Sequence, residues 1–211
     1  MLRLPIFAAV PAAFLLGAAL QLASPTARAA ERAIDKEVII KASPEQAWAS
    51  WTTREGIVAF FAPDARIEPR VGGAFQIYID PGAAPGMKGA DEMRYLALQP
   101  YKMLSFDWNA PPSLPEVRAQ RTVVILRFEP LGEGETRVRL HHVGWGDGGE
   151  WDKAYAYFDR AWGNVLGNLK QRYESGPVDW TEWLAQLEKF RAQARAAASA
   201  ASAAAGSAPK P

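Results

Sequence analysis

The 211-residue chain contains no cysteine, which excludes disulfides, thiolate zinc sites, a cysteine nucleophile and covalently attached c-type haem. Histidine is scarce as well: the 2 present, His141 and His142, are neighbours in sequence. Adjacent residues on a strand point to opposite faces, so this pair cannot chelate one metal from a regular strand, and no carboxylate spacing completes a site. No metal and no cofactor is expected. An excess of one charge is missing too, since 24 Lys and Arg stand against 23 Asp and Glu. Nothing in that balance would hold a phosphate backbone, and a nucleic-acid partner is not expected. There is no G-x-S-x-G elbow and no serine evidently paired with a histidine, which argues against a serine triad. Gly146, Gly148 and Gly149 imitate a phosphate loop, but no Lys-Ser/Thr pair follows them.

Core material is plentiful. Hydrophobic residues make up 49% of the chain, and 8 Trp, 9 Phe and 6 Tyr supply large side chains, which suits one globular domain with some spare chain. The spare chain lies at the ends. An almost uncharged run from Leu4 to Ala27 precedes Ala27-Arg28-Ala29, so residues 1–29 read as a cleaved signal peptide and the protein as secreted or periplasmic. An uncleaved membrane anchor is the competing reading. Toward the other end, residues 177–191 read as a short amphipathic helix with Asp179 and Glu182 in capping-box spacing and Trp180, Trp183, Leu187 and Phe190 along one stripe. That stripe would dock on the domain or touch a membrane surface through Trp180 and Trp183. Residues 192–211, almost all Ala, Ser, Gly and Pro, read as a flexible tail.

Between these ends, Ile34 to Lys41 reads as a strand, and Ser43-Pro44-Glu45-Gln46 opens a helix with a capping box. A second short helix carries Ile57, Phe60 and Phe61 and stops at Pro63. Two strands about Gly72-Gly73 follow, then a Gly/Pro-rich loop over residues 81–89 and strands at residues 92–98, 103–108, 121–129 and 135–143. Trp151, Tyr155, Phe158, Trp162, Val165, Leu169 and Tyr173 then recur at helical spacing, giving a long helix one continuous apolar face. The expected fold is α+β: a curved antiparallel sheet of six to seven strands around a long C-terminal helix, with two short helices after the first strand.

The order of elements, the Ser43-Pro44-Glu45-Gln46-Ala47-Trp48 start, Gly72-Gly73, Pro100 before Met103-Leu104-Ser105-Phe106, the run from Thr136 to Trp145, and Ala161-Trp162 with Leu166 and Leu169 carry a family resemblance. Residues 34–176 resemble the START-like helix-grip superfamily, SRPBCC, and within it the group similar to the C-terminal domain of the Hsp90 ATPase activators. The resemblance implies a helix-grip fold with a cavity for lipids or other apolar small molecules. Ala161 stands where relatives often have Gly, and the leader and the Trp-rich terminal helix lie outside the family pattern.

Strand phasing puts Leu104, Phe106 and Trp108 on one face and Val138, Leu140 and His142 on one face. The candidate ligand-binding residues are therefore Trp108, His142, Phe106 and Leu140 from the sheet, with Phe158 and Trp162 from the long helix. His142 reads as a satisfied core histidine or as the polar group of the pocket. The expected function is binding of an apolar small molecule or lipid. A cyclase or dehydratase using His142 as acid/base is the second reading, and a chaperone-like interaction domain is the third.

Overall fold

The computed structural model describes residues 31–206. The expected signal peptide lies outside the described residues. In chain order the elements are β1 (Ile34–Ile40), α1 (Pro44–Thr52), α2 (Arg54–Val58), β2 (Asp64–Ile67), β3 (Phe75–Tyr78), β4 (Gly89–Ala90), β5 (Tyr95–Gln99), β6 (Met103–Trp108), α3 (Pro115–Arg118), β7 (Thr122–Gly132), β8 (Glu135–Val143), α4 (Gly149–Ser175) and α5 (Thr181–Gly206). None of the described helices is long and apolar enough to cross a membrane.

The strands divide between two antiparallel sheets. Five form the main sheet in the order β1-β8-β7-β6-β5, and β2-β3-β4 form a small one. The sequence pattern leads to an expectation of six to seven strands in one sheet; the structure has eight in two, the additional one being the two-residue β4 at the end of the expected Gly/Pro-rich loop. The division falls at the β5 edge, where the register against β6 shifts between Tyr95 and Ala97. Such a bulge bends its strand. Only short backbone links continue from there: Gly72 N–H donates to Tyr95 O at 2.8 Å and Phe75 N–H to Met93 O at 2.8 Å.

Local chemistry explains the helix starts. Ser43 Oγ accepts from Gln46 N–H at 3.3 Å while Gln46 Oε1 accepts from Ser43 N–H at 2.9 Å, a closed capping box with Pro44 inside the first turn. The α4 stripe buries Ala154, Phe158, Trp162, Leu166 and Leu169 against the inward side chains of the sheet, among them Leu104, Phe106, Val124, Leu126, Val138 and Leu140. Tyr155 O–H fastens the helix to the chain before β1, donating to Ala33 O at 2.8 Å. Outward residues of the sheet carry charge, as strand alternation requires: Glu37 and Glu129 pair with Arg137 and Arg139, and Asp35 meets His141 at 2.7 Å.

Two details at the C-terminal end differ from expectation. Asp179 does not form a capping box with Glu182; its Oδ1 accepts from Thr181 N–H and Oγ1 at 2.9 and 2.6 Å, and Glu182 accepts from Gln186 instead. The helix also does not give way to a flexible tail at residue 192 but runs on to Gly206. Alanine has the highest helix propensity of all residues, so an Ala-rich segment continues a helix that is already nucleated.

Candidate functional site

Trp108 ends β6, and its inward phase places the indole, 6% exposed, at the open end of the core. Its ring lies 6.0 Å from Phe61, 6.5 Å from Phe158 and 5.3 Å from Trp162, centroid to centroid. Beside it opens a cavity of about 290 Å³. Its walls come from α4 through Phe158 and Trp162, from Phe61 after α2, and from Trp180 and Trp183 at the start of α5. No side chain bordering it carries a formal charge. Tyr157, also on the wall, is a phenol and so neutral at physiological pH, and desolvation raises its pKa further above the usual range. A second cavity of about 200 Å³ shares Ile79, Trp108, Tyr157 and Phe158 with the first and extends toward Asp80, Lys88 and Asn109. An apolar wall with few polar groups is the physical signature of a small-molecule site.

The outer wall is held in place by named bonds. Trp180 Nε1–H donates to Val58 O at 2.6 Å and Trp183 Nε1–H to Ile79 O at 3.0 Å, while Val178 N–H donates to Ala59 O at 3.0 Å. Two turns further along α5, Arg191 pairs with Asp80, passing so close over Gly82 that a Cβ there would strike the guanidinium. Trp180 and Trp183 of the expected stripe therefore contact the domain and border the groove, whereas Phe190 of the same stripe is 71% exposed. Deleting residues 178–211 is expected to lower the melting temperature by about 5 °C, the equivalent of roughly 2 kcal/mol of lost indole burial. An unchanged melting curve combined with lost liposome binding would assign the helix to a membrane surface instead.

His142 occupies the inward phase but does not reach either groove cavity. Its Nδ1 faces Trp162 Nε1 at 2.9 Å and its Nε2 faces Thr122 Oγ1 at 2.7 Å. An indole N–H can only donate, so Nδ1 is the acceptor and Nε2 carries the proton. Nε2–H then donates to Thr122 Oγ1, whose own proton goes to Trp108 O at 3.2 Å. Burial pushes the imidazole pKa down to about 3, so the ring is neutral. Of the two readings the sequence left open for His142, a satisfied core histidine or the polar group of a pocket, the geometry matches the first: it is a closed link between β8, β7 and α4, with neither nitrogen free for a guest. Phe106 is likewise fully buried, stacked on Phe75 at 3.9 Å. Leu140 packs in the core and borders only a charged cleft on the outer sheet face. Of the sequence candidates, Trp108, Phe158 and Trp162 come together at the groove, while Phe106, Leu140 and His142 support it from within.

Four aromatic wall residues, Phe61, Tyr157, Trp180 and Trp183, lay outside the candidate set. Phe61 follows Phe60 in a visible apolar pair before Pro63, so a signal existed. Tyr157 sits one position before Phe158, off the apolar stripe, and half-exposure at a groove edge leaves no periodic trace. Trp180 and Trp183 showed amphipathicity, but a stripe does not say what it covers. Among the described residues no group of three or more His, Asp or Glu is placed to hold a metal ion.

The family model described as activator of Hsp90 ATPase homolog 1-like protein matches residues 41–174. The chain belongs to this family. No curated protein matches the chain. Among solved structures, a Mesorhizobium loti protein is 25% identical with a TM-score of 0.57, covering 70% of this chain and 100% of its own. The Aha1 dimer from Colwellia psychrerythraea is 24% identical with a TM-score of 0.54, over 69% of this chain and 98% of its own. An HSP90 activator from Plasmodium falciparum is 12% identical with a TM-score of 0.50, over 69% of this chain and 97% of its own. The likeness to the last two shows the shared helix-grip fold. Membership in the activator-homologue family suggests ligand-binding or chaperone-activator-like roles. Trp180 and Trp183, which form the outer wall, lie beyond residues 41–174, the segment that matches the family model.

Proposed function

We propose that this domain binds a neutral, apolar small molecule or lipid in the groove between Trp108, α4 and the start of α5. The observation that carries the reading is the wall itself: a cavity of about 290 Å³ bordered mainly by aromatic and aliphatic side chains, with Asn164 and Asn168 as neutral polar groups and no charged one. Apolar surface transferred from water into such a groove contributes about 25 cal/mol per Å², whereas an unpaired charge there would cost several kcal/mol. Trp180 and Trp183, outside the segment that matches the family model, add aromatic contact area to the groove. A chaperone-activator role, the other role the family suggests, would use a protein surface rather than this groove. We also propose that the domain acts after export, on the strength of the Leu4–Ala27 run and the Ala27-Arg28-Ala29 cleavage pattern. His142 is given no catalytic part, because both its nitrogens are already engaged.

Titration with Nile red, a neutral apolar fluorophore, tests the groove. The expected result is saturable one-to-one binding with blue-shifted emission, weakened about tenfold in Trp108→Ala by loss of aromatic contact. Circular dichroism of the variant must show a folded protein. A folded Trp108→Ala that binds like the parent would move the site elsewhere.

A further inference from the structure

Two stretches of chain wall the smaller cavity, residues 87–90 in and before β4 and residues 109–112 after β6, and no backbone hydrogen bond joins one to the other. One side chain does. Arg118, at the end of α3, lies behind the wall with its side chain 13% exposed. Its Nη1 donates to Ala110 O on one stretch, and its Nη2 faces Gly86 O at 2.5 Å, Gly89 O at 2.9 Å and Asp91 Oδ2 at 3.3 Å around the other. Asp91 closes that same loop from within, since its Oδ1 accepts from Gly86 N–H at 3.1 Å and its Oδ2 from Gly89 N–H at 3.0 Å. The short helix α3 is in turn anchored to the start of α4, where Glu150 Oε2 accepts from Glu116 N–H and Val117 N–H at 2.9 and 3.1 Å. The five N–H donors of a planar guanidinium serve acceptors on both stretches at once, a span that the single nitrogen of lysine lacks. A buried ion pair adds little net stability over apolar packing, so stability alone does not account for a charge in this place.

We propose that Arg118 is a positioning residue for guest binding: it holds the two stretches at a fixed separation, so that the smaller cavity is formed before a guest arrives. This inference rests on the binding reading above and adds a residue that acts without touching the guest. The polar side chains that do border this cavity join neither stretch to the other. Asp80 is taken by Arg191 and by Gly82 N–H, Lys88 lies over the Tyr78 ring at 5.1 Å, and Asn109, 6% exposed, makes no side-chain hydrogen bond among the described residues. Asn109 sits between Trp108 and Ala110, so the bond from Arg118 to Ala110 O also steadies the backbone that carries this amide. A site that must first order its own walls binds more weakly, because the ordering is subtracted from the affinity.

The test is Nile red titration of the full chain carrying Arg118→Lys, which keeps the charge but not the span. Binding about tenfold weaker than in the parent is expected, and in the guest-free variant the Gly86 and Gly89 amides should exchange with solvent at least about tenfold faster. Tyr95→Phe is the control. It loses the buried bond from Tyr95 O–H to Trp51 O at 2.6 Å, between residues that border neither cavity, and is expected to lose stability yet bind the dye as the parent does. A folded Arg118→Lys that binds like the parent overturns the proposal, as does weaker binding with unchanged exchange at Gly86 and Gly89. A Tyr95→Phe that weakens binding equally also overturns it, because the effect is then one of general stability. Should Arg118→Lys not fold, Asp91→Asn, which replaces one of the loop's two carboxylate acceptors by a donor, is judged by the same dye affinity. If the parent itself does not bind the dye, the binding reading fails and this inference falls with it.

Discussion

The Trp162→Ala variant is expected to be less stable than the parent by about 4 kcal/mol, read as a lower midpoint in urea denaturation. Trp162 is 1% exposed and stacks with Phe158, meets Phe61 and His142 edge-on, and donates to His142 Nδ1. Truncation removes the ring and leaves a cavity, and it also strips an acceptor of its donor. Trp162→Phe separates the two contributions. It keeps an aromatic ring but loses the N–H, and is expected to cost about 2 kcal/mol, part of it the price of a buried imidazole nitrogen without a partner. A Phe variant as stable as the parent would show that the His142 network contributes nothing to the fold.

Acid should destabilise the domain well above the range where carboxylates titrate. In the native state burial holds the His142 pKa near 3, against 6.5 for the free side chain. Above pH 6.5 neither state holds the proton and the full stability is present. As pH falls below that value the unfolded chain takes up a proton that the native chain refuses, so stability is lost progressively between 6.5 and about 3. The slope is about 1.4 kcal/mol per pH unit, which amounts to roughly 3 kcal/mol by pH 4.5. The carboxylates whose pKa values are lowered by their hydrogen bonds, among them Glu45, Glu68 and Asp152, start from 4.5 or less and so act in the lower part of this window, below about pH 4.5. His142→Gln is the control, since its amide can still accept from Trp162 and donate to Thr122 without titrating. Urea midpoints between pH 7 and 4.5 should fall for the parent and stay flatter for the variant. Parallel curves would mean that His142 is reached by protons in the native state.

The elements that were legible in the sequence are those fixed by local chemistry and strict period. Ser43 and Gln46 announce the start of α1, the alternation through Leu104, Phe106 and Trp108 gives the inward face of β6, and the stripe through Phe158, Trp162 and Leu169 gives α4. The division into two sheets was not legible, because it depends on a bulge at Tyr95 and on backbone links from residues 72 to 75 that no period encodes. At the site, phase correctly sent His142 inward but could not say what its nitrogens meet there. A donor from α4 and a hydroxyl from β7, each 20 residues away in sequence, decide that it supports the core. Trp180 and Trp183 illustrate the same gap: their amphipathic spacing is local, whereas their acceptors, Val58 O and Ile79 O, lie more than 100 residues upstream.

The central claim is that the groove takes a neutral apolar guest, and competition of methyl laurate and laurate for bound Nile red at pH 7.5 tests it most directly. The two compounds share one alkyl chain and differ in charge. With no cation on the wall of the larger cavity, the ester should displace the dye at least about tenfold more effectively than the acid, because burying an unpaired carboxylate costs several kcal/mol. Displacement by laurate as strong as that by its ester, or displacement by neither, would contradict the account.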